Sequence, residues 1–252
     1  MTADRNLKRR VRARAAKTGE SYTAALRHFR TTPQGEPMRL SVTQLIVELR
    51  EIRALAAELR LWTVLGSVHP LTPPRRPHLS LYVISDKGRI VTRYDERMLS
   101  NTKVSHMYTP GAAPVTCTVD GVRFGLALGM EATFPEVFLE YERLDVDCVL
   151  FSTHGPGVPF ALQAQAHAAA NSYWVSYAGT AQDAPNAPSG IVGPGGNWLA
   201  RCAPSADYAV VTTDLDLAAE NLARPWRRVA RGGLYTSYQA TDDPRSLDRA
   251  GS

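Results

Sequence analysis

The stretch FGLALGMEATFPEVF, Phe124–Phe138, decides how the rest of this chain is read. Its first half closes a hairpin, "APVTCTVDGVRFGLALG", that turns at Asp120-Gly121. Its second half opens a helix, read from Pro135 to about Arg143. A strand that ends in such an elbow holds one side chain at its tip, ready to react. Gly129 stands at that tip and has no side chain to offer.

Working outward, 252 residues at 44% hydrophobic suffice for a sizeable core. No apolar run reaches the roughly 18 residues of a membrane span, and no secretory leader is evident. Cys117, Cys148 and Cys202 are odd in number and widely spaced, which points to free thiols in a reducing cytoplasm. It also argues against a disulfide frame or a metal site. The net charge of +5 is uneven. Residues 1–30 carry nine basic side chains against two acidic ones, a surplus of seven, so the other 222 residues sum to −2.

Leu7 to Lys17 and Tyr22 to Phe29 read as two short basic helices hinged at Gly19, followed by a linker, "TTPQGEP". Leu45, Ile46, Leu49, Ile52, Leu55, Ala56 and Leu59 then keep the spacing of an amphipathic helix. "LWTVLGSV" reads as a buried strand, and "LSLYVISDKGRIVTRYD" as a hairpin turning at Asp86-Lys87-Gly88. After Arg143 come the strand "DCVLFST", a helix over Phe160–Ala170, the strand "YWVSYAG" and the hairpin "SGIVGPGGNWLARC". "YAVVTTDLDL" reads as the last strand. The glycines of "GPGGNW" join hairpin arms and are followed by no Lys-Ser/Thr, so they make no phosphate loop. Alternating helices and hairpins predict an α/β fold with layered sheets.

The ordered set LGS, SDKGRI, RYD, YTPG, VDGVRFGLALG-ME-FPE, DVDCVLF, PSGIVGPGGNWLA and LDL resembles the nitrilase, or carbon–nitrogen hydrolase, superfamily over about Gln44–Asp216. The resemblance implies an α-β-β-α sandwich, here incomplete at its N-terminal end and preceded by a small basic helical arm. It divides the chain into an arm (1–32), a hydrolase-like domain (33–220) and a tail (221–252). It implies, further, hydrolysis of amides or nitriles by a Glu-Lys-Cys triad, no cofactor, and pairing into a homodimer. In that chemistry a glutamate takes the thiol proton, the thiolate attacks carbon and lysine steadies the charge that develops.

At the positions that match, none of the three groups is present. Gly129 replaces the cysteine, Glu96 (in Tyr94-Asp95-Glu96) replaces the lysine, and Gln34 (in Pro33-Gln34-Gly35) replaces the base if that element is not simply linker. Lys103, ahead of "YTPG", stands where the family places a further glutamate. Glu96 and Lys103 therefore read as a charge exchange whose salt bridge survives with its ends reversed. Met130, Glu131, Phe134, Pro135, Glu136 and His154 complete the expected pocket, with Glu131 read either as a supporting site residue or as a helix cap. Ser152, Thr153 and His154 suggest a Ser/His pair only weakly, because sequence neighbours on a strand seldom meet.

Two functions remain open on these residues. One is a family member impaired in catalysis, with an amide- or nitrile-like ligand. The other is a binding or regulatory module that uses a degenerate pocket and a basic arm, residues 5–30, which either holds nucleic acid weakly through phosphates or a partner, or covers a sheet edge.

Overall fold

The computed structural model describes residues 42–154, 157–207, 209–217 and 223–247. The chain divides into two compact units, residues 1–49 and 50–252. Of the first unit only residues 42–49 are described, as the start of helix α1 (Val42–Leu59). The basic arm and Gln34 lie outside the described residues.

In the second unit, residues 50–59 carry α1 to its end. Arg53 Nε donates to the carbonyl of Gly88 at 2.8 Å, which ties the helix to the predicted Asp86-Lys87-Gly88 turn. Gly88 has φ +69°, and a Cβ there would lie 2.3 Å from the Arg53 carbonyl, so only glycine suits the position. Ala56 is buried, but Leu55 and Leu59 stay half exposed, so the apolar stripe is only partly used.

Two sheets follow. The first is antiparallel, β1 (Thr63–His69), β2 (His78–Ile84) and β3 (Ile90–Asp95) in that order. The second has six strands in sequence order: β4 (Thr116–Val119), β5 (Val122–Leu128), β6 (Cys148–Ser152), β7 (Trp174–Ala178), β8 (Gly190–Val192) and β9 (Trp198–Arg201). Strands β5, β6 and β7 run parallel, and the connections between them are helices α3 (Pro135–Arg143) and α4 (Val158–Asn171). Short helix α2 (Asn101–His106) leads away from β3.

Period-two alternation gives the six-stranded sheet two apolar faces. Val149, Phe151, Val175 and Tyr177 face Phe138 and Tyr141 of α3 and Phe160, Ala164 and Ala168 of α4. Leu126 and Leu128 face Leu81, Val83 and Tyr94 of the first sheet. Each large side chain buried in these two cores contributes about 1.5–3 kcal/mol. Gly125 is needed where Tyr141 crosses β5, since a Cβ there would sit 2.6 Å from the ring. The tyrosine hydroxyl donates to the Leu126 carbonyl.

Two expectations need correction. Strand β1 is not buried: among the described residues it is a sheet edge, and Val64 within it and Trp62 just before it are exposed. Residues 209–217 of "YAVVTTDLDL" form no strand. Part of the C-terminal tail is anchored. Helix α5 (Ala223–Arg231) sets Arg224 2.7 Å from Asp147 and Arg228 3.0 Å from Asp145.

Candidate functional site

Gly129 ends β5 and opens a single 3₁₀ turn, Gly129–Thr133, with φ +52°. The turn is held from two sides. Glu131, fully buried, accepts hydrogen bonds from the Leu128 N–H at 2.8 Å, the Tyr94 hydroxyl at 2.6 Å and the Arg97 N–H at 2.7 Å. A longer one comes from the Met98 N–H at 3.4 Å. One carboxylate thus stitches the end of β5 to the exit of β3. On the far side, His167 of α4 donates Nε2–H to the Ala132 carbonyl at 2.8 Å and stacks on Phe138 at 3.8 Å. Burial lowers the His167 pKa, so the ring serves as a neutral donor.

Glu96 leaves β3 with its backbone fixed on both sides. Its N–H donates to the Leu79 carbonyl and its own carbonyl accepts from Gly111. The side chain is fully buried and turns toward Gly129. Lys103 reaches the same point from α2, whose first turn is capped by the Ser100 hydroxyl. Lys103 Nζ lies 2.8 Å from Glu96 Oε2 and 3.2 Å from Oε1. The Met130 N–H donates to the same Oε1 at 3.2 Å.

A Cβ built on Gly129 would stand 2.7 Å from Glu96 Oε1 and 3.2 Å from Lys103 Nζ. Positions 96, 103 and 129 therefore converge, and the room that glycine vacates is filled by the carboxylate. Burial pushes the Glu96 carboxyl above its ordinary value, against the pull of Lys103, and the Glu131 charge adds to the rise. Burial also raises Glu131, against its four hydrogen bonds.

The other expected pocket residues divide by role. Met130 and Phe134 are half-buried and pack on the helix-side core. Pro135 begins α3, and Glu136 lies exposed in its first turn, where an acid suits the helix N-terminus. His154 is exposed beyond β6, and no hydrogen bond joins it to Ser152 or Thr153 among the described residues. No cysteine sulfur is among the three atoms nearest the point a Gly129 Cβ would occupy. Cys117 sits on β4, Cys202 follows β9, and Cys148 is buried in β6 with its thiol pushed up to about 12. Among the described residues no group of His, Cys, Asp and Glu could hold a metal ion. No described helix is long and apolar enough to cross a membrane.

The carbon-nitrogen hydrolase family model matches residues 22–225. The chain belongs to this family. Solved structures with the same fold include the NitN amidase from Nesterenkonia sp. AN1, at 19% identity over 75% of this chain and 80% of that one, with a TM-score of 0.61. A cysteine-to-alanine mutant of that amidase in complex with butyramide matches at 18% identity over 66% and 67% of the two chains, TM-score 0.59. A glutamate-to-glutamine mutant carries the acetamide moiety of fluoroacetamide added to its active-site cysteine, at 19% identity over 66% of each chain, TM-score 0.60. No curated protein matches the chain.

Sequence reasoning brought Glu96, Lys103 and Gly129 together but missed what holds the carbon-nitrogen hydrolase turn in place. Tyr94 is one letter of the Tyr94-Asp95-Glu96 motif, and no motif includes His167. Their hydrogen bonds to Glu131 and Ala132 span 37 and 35 residues and left no local signal.

Proposed function

We propose that this carbon-nitrogen hydrolase family member does not cleave carbon–nitrogen bonds at the Gly129 site and instead keeps that site closed with an internal salt bridge. Hydrolysis through a covalent intermediate needs a nucleophile, an acceptor for its proton and donors for the oxygen that gains charge. Position 129 offers no nucleophile. Lys103 Nζ and the Met130 N–H are suited to hold an anionic oxygen, and both already hold Glu96 Oε1. That single observation carries the reading, because a substrate oxygen would have to displace a buried carboxylate and leave it unpaired. Glu96 is poorly placed to activate water itself, since it is fully buried and both its oxygens are engaged.

Fluoroacetamide tests the reading, since it adds to the active-site cysteine of the structurally similar amidase. The wild-type chain should gain no acetamide adduct within residues 124–138. The combined substitutions Gly129→Cys, Glu96→Lys and Lys103→Glu should gain one at position 129, because the frame around the turn is in place. An adduct on the wild-type stretch would reveal a reactive group that the reading lacks. A second reading, a binding module acting through residues 5–30, rests on the surplus of seven positive charges in residues 1–30. It requires nucleic-acid affinity that falls steeply with salt and vanishes when residues 1–30 are deleted.

A further inference from the structure

Helix α5 carries its charges and its apolar residues on opposite faces. Arg224, Arg227, Arg228 and Arg231 recur at the spacing of one helical stripe, and Trp226 and Val229 lie across from them. An amphipathic helix ordinarily buries its apolar stripe. Here the arrangement is reversed: Trp226 and Val229 are 53% and 56% exposed, and no residue of the helix is buried. The Trp226 ring meets Tyr235 edge-on at 6.4 Å, so its aromatic contact is with the tail itself.

The arginine face lies on acids where α3 ends and β6 begins. Arg224 reaches Asp147 at 2.7 Å and donates to the Val146 carbonyl at 3.2 Å. Arg228 and Arg231 share Asp145 at 3.0 and 3.2 Å, and Arg227 and Arg231 share the buried Glu142 at 3.5 and 3.3 Å. Burial works to raise the Asp145 carboxyl, but Arg228 and Arg231 outweigh it and hold it below its ordinary value. The acids keep their places by other means. Asp147 also accepts the Arg123 N–H at 2.7 Å, and Glu142 belongs to the last turn of α3.

We propose that α5 is a clamp held to the body chiefly by charge, which opens as a unit when ionic strength rises. Ion pairs near the surface hold weakly one at a time, and salt shortens their reach from about 10 Å at 0.1 M to about 3 Å at 1 M. Apolar burial is not screened in this way, and α5 turns its apolar stripe away from the body. The helix moves as one piece, so screening acts on all of its arginines together. Opening bares Glu142, Asp145 and Asp147 on the body and frees Arg224, Arg227, Arg228 and Arg231 on the arm. It leaves the bond between Asp147 and Arg123 in place. The clamp is independent of the chemistry at Gly129.

Hydrogen exchange of the full chain, compared between about 0.05 M and about 1 M sodium chloride, tests the clamp. Residues 227–233 should be protected at low salt and exchange about tenfold or more faster at high salt, while β5 to β7 stay unchanged. Arg228→Gln with Arg231→Gln alters only the arm and leaves Arg227 on the buried Glu142, so the core is undisturbed. This pair should open the clamp at low salt and leave little for salt to add. Trp226→Ala with Val229→Ala removes the outward stripe and should keep exchange within about twofold of wild type. Exchange at residues 227–233 that is indifferent to salt, or fast at both concentrations, would overturn the proposal. So would a larger opening from the Trp226 and Val229 substitutions than from the arginine pair.

Discussion

Two buried glutamates approach the same turn, and they are held in contrasting ways. Glu131 accepts three backbone N–H groups and the Tyr94 hydroxyl, so it joins the ends of two strands in different sheets. Glu96 is held chiefly by one flexible partner, Lys103. The first region is frame. The second is a salt bridge that closes on the turn from one side. Separate hydrogen bonds hold the two regions, so the Glu96–Lys103 pair can be changed while the turn keeps its shape.

Removing the frame should therefore cost most. Glu131→Ala leaves buried N–H groups and a buried hydroxyl without acceptors and should lower the unfolding free energy by about 3–5 kcal/mol, measured in urea. Lys103→Met strands the Glu96 charge, but the lysine is partly solvated, so about 1–3 kcal/mol is expected. Adding Glu96→Gln to Lys103→Met should recover most of that loss. A double substitution as unstable as the sum of its parts would mean that Glu96 is frame as well.

Gly129→Ala should cost about 1–2 kcal/mol, from the strain of φ +52° and the contact with Glu96 Oε1. Combined with Glu96→Ala it should cost less, since only the backbone strain remains. If the alanine cost is the same in both backgrounds, the carboxylate does not occupy the vacated space.

The smallest effect is on pH dependence. Burial raises both Glu96 and Glu131 above the ordinary 4.5, so the folded state binds their protons more tightly than the unfolded state does. Their contribution to stability is greatest below 4.5 and falls as pH rises through the raised values. Asp95 and Asp145 act oppositely. Burial works to raise each, but arginine partners outweigh it, so their contribution is lost as pH falls below the ordinary 3.8. Stability curves of wild type and Glu96→Gln should converge at low pH and separate toward neutrality.

Sequence made the turn at Gly129 legible because an apolar strand, a glycine and a Phe-Pro-Glu step follow one another without a gap. The Glu96–Lys103 contact was legible for a similar reason, since both sit in short motifs, and the two meet at 2.8 Å. Partnership was harder to see. Residues 209–217 have the β-branched character of a strand, yet propensity cannot supply a neighbour, and no ladder forms. Helix α2 buries none of its side chains, so no apolar periodicity announced it. Leu55 and Leu59 keep helical spacing and stay half exposed.

The central claim is that a carboxylate closes the site where this family does its chemistry. Ammonia release from butyramide by the purified full chain, compared with its Glu96→Gln variant, tests that claim most directly. The account predicts no release above buffer from either protein, with both fully folded. Steady release by the wild type that disappears in Glu96→Gln would contradict it, because the buried carboxylate would then be a working catalytic group.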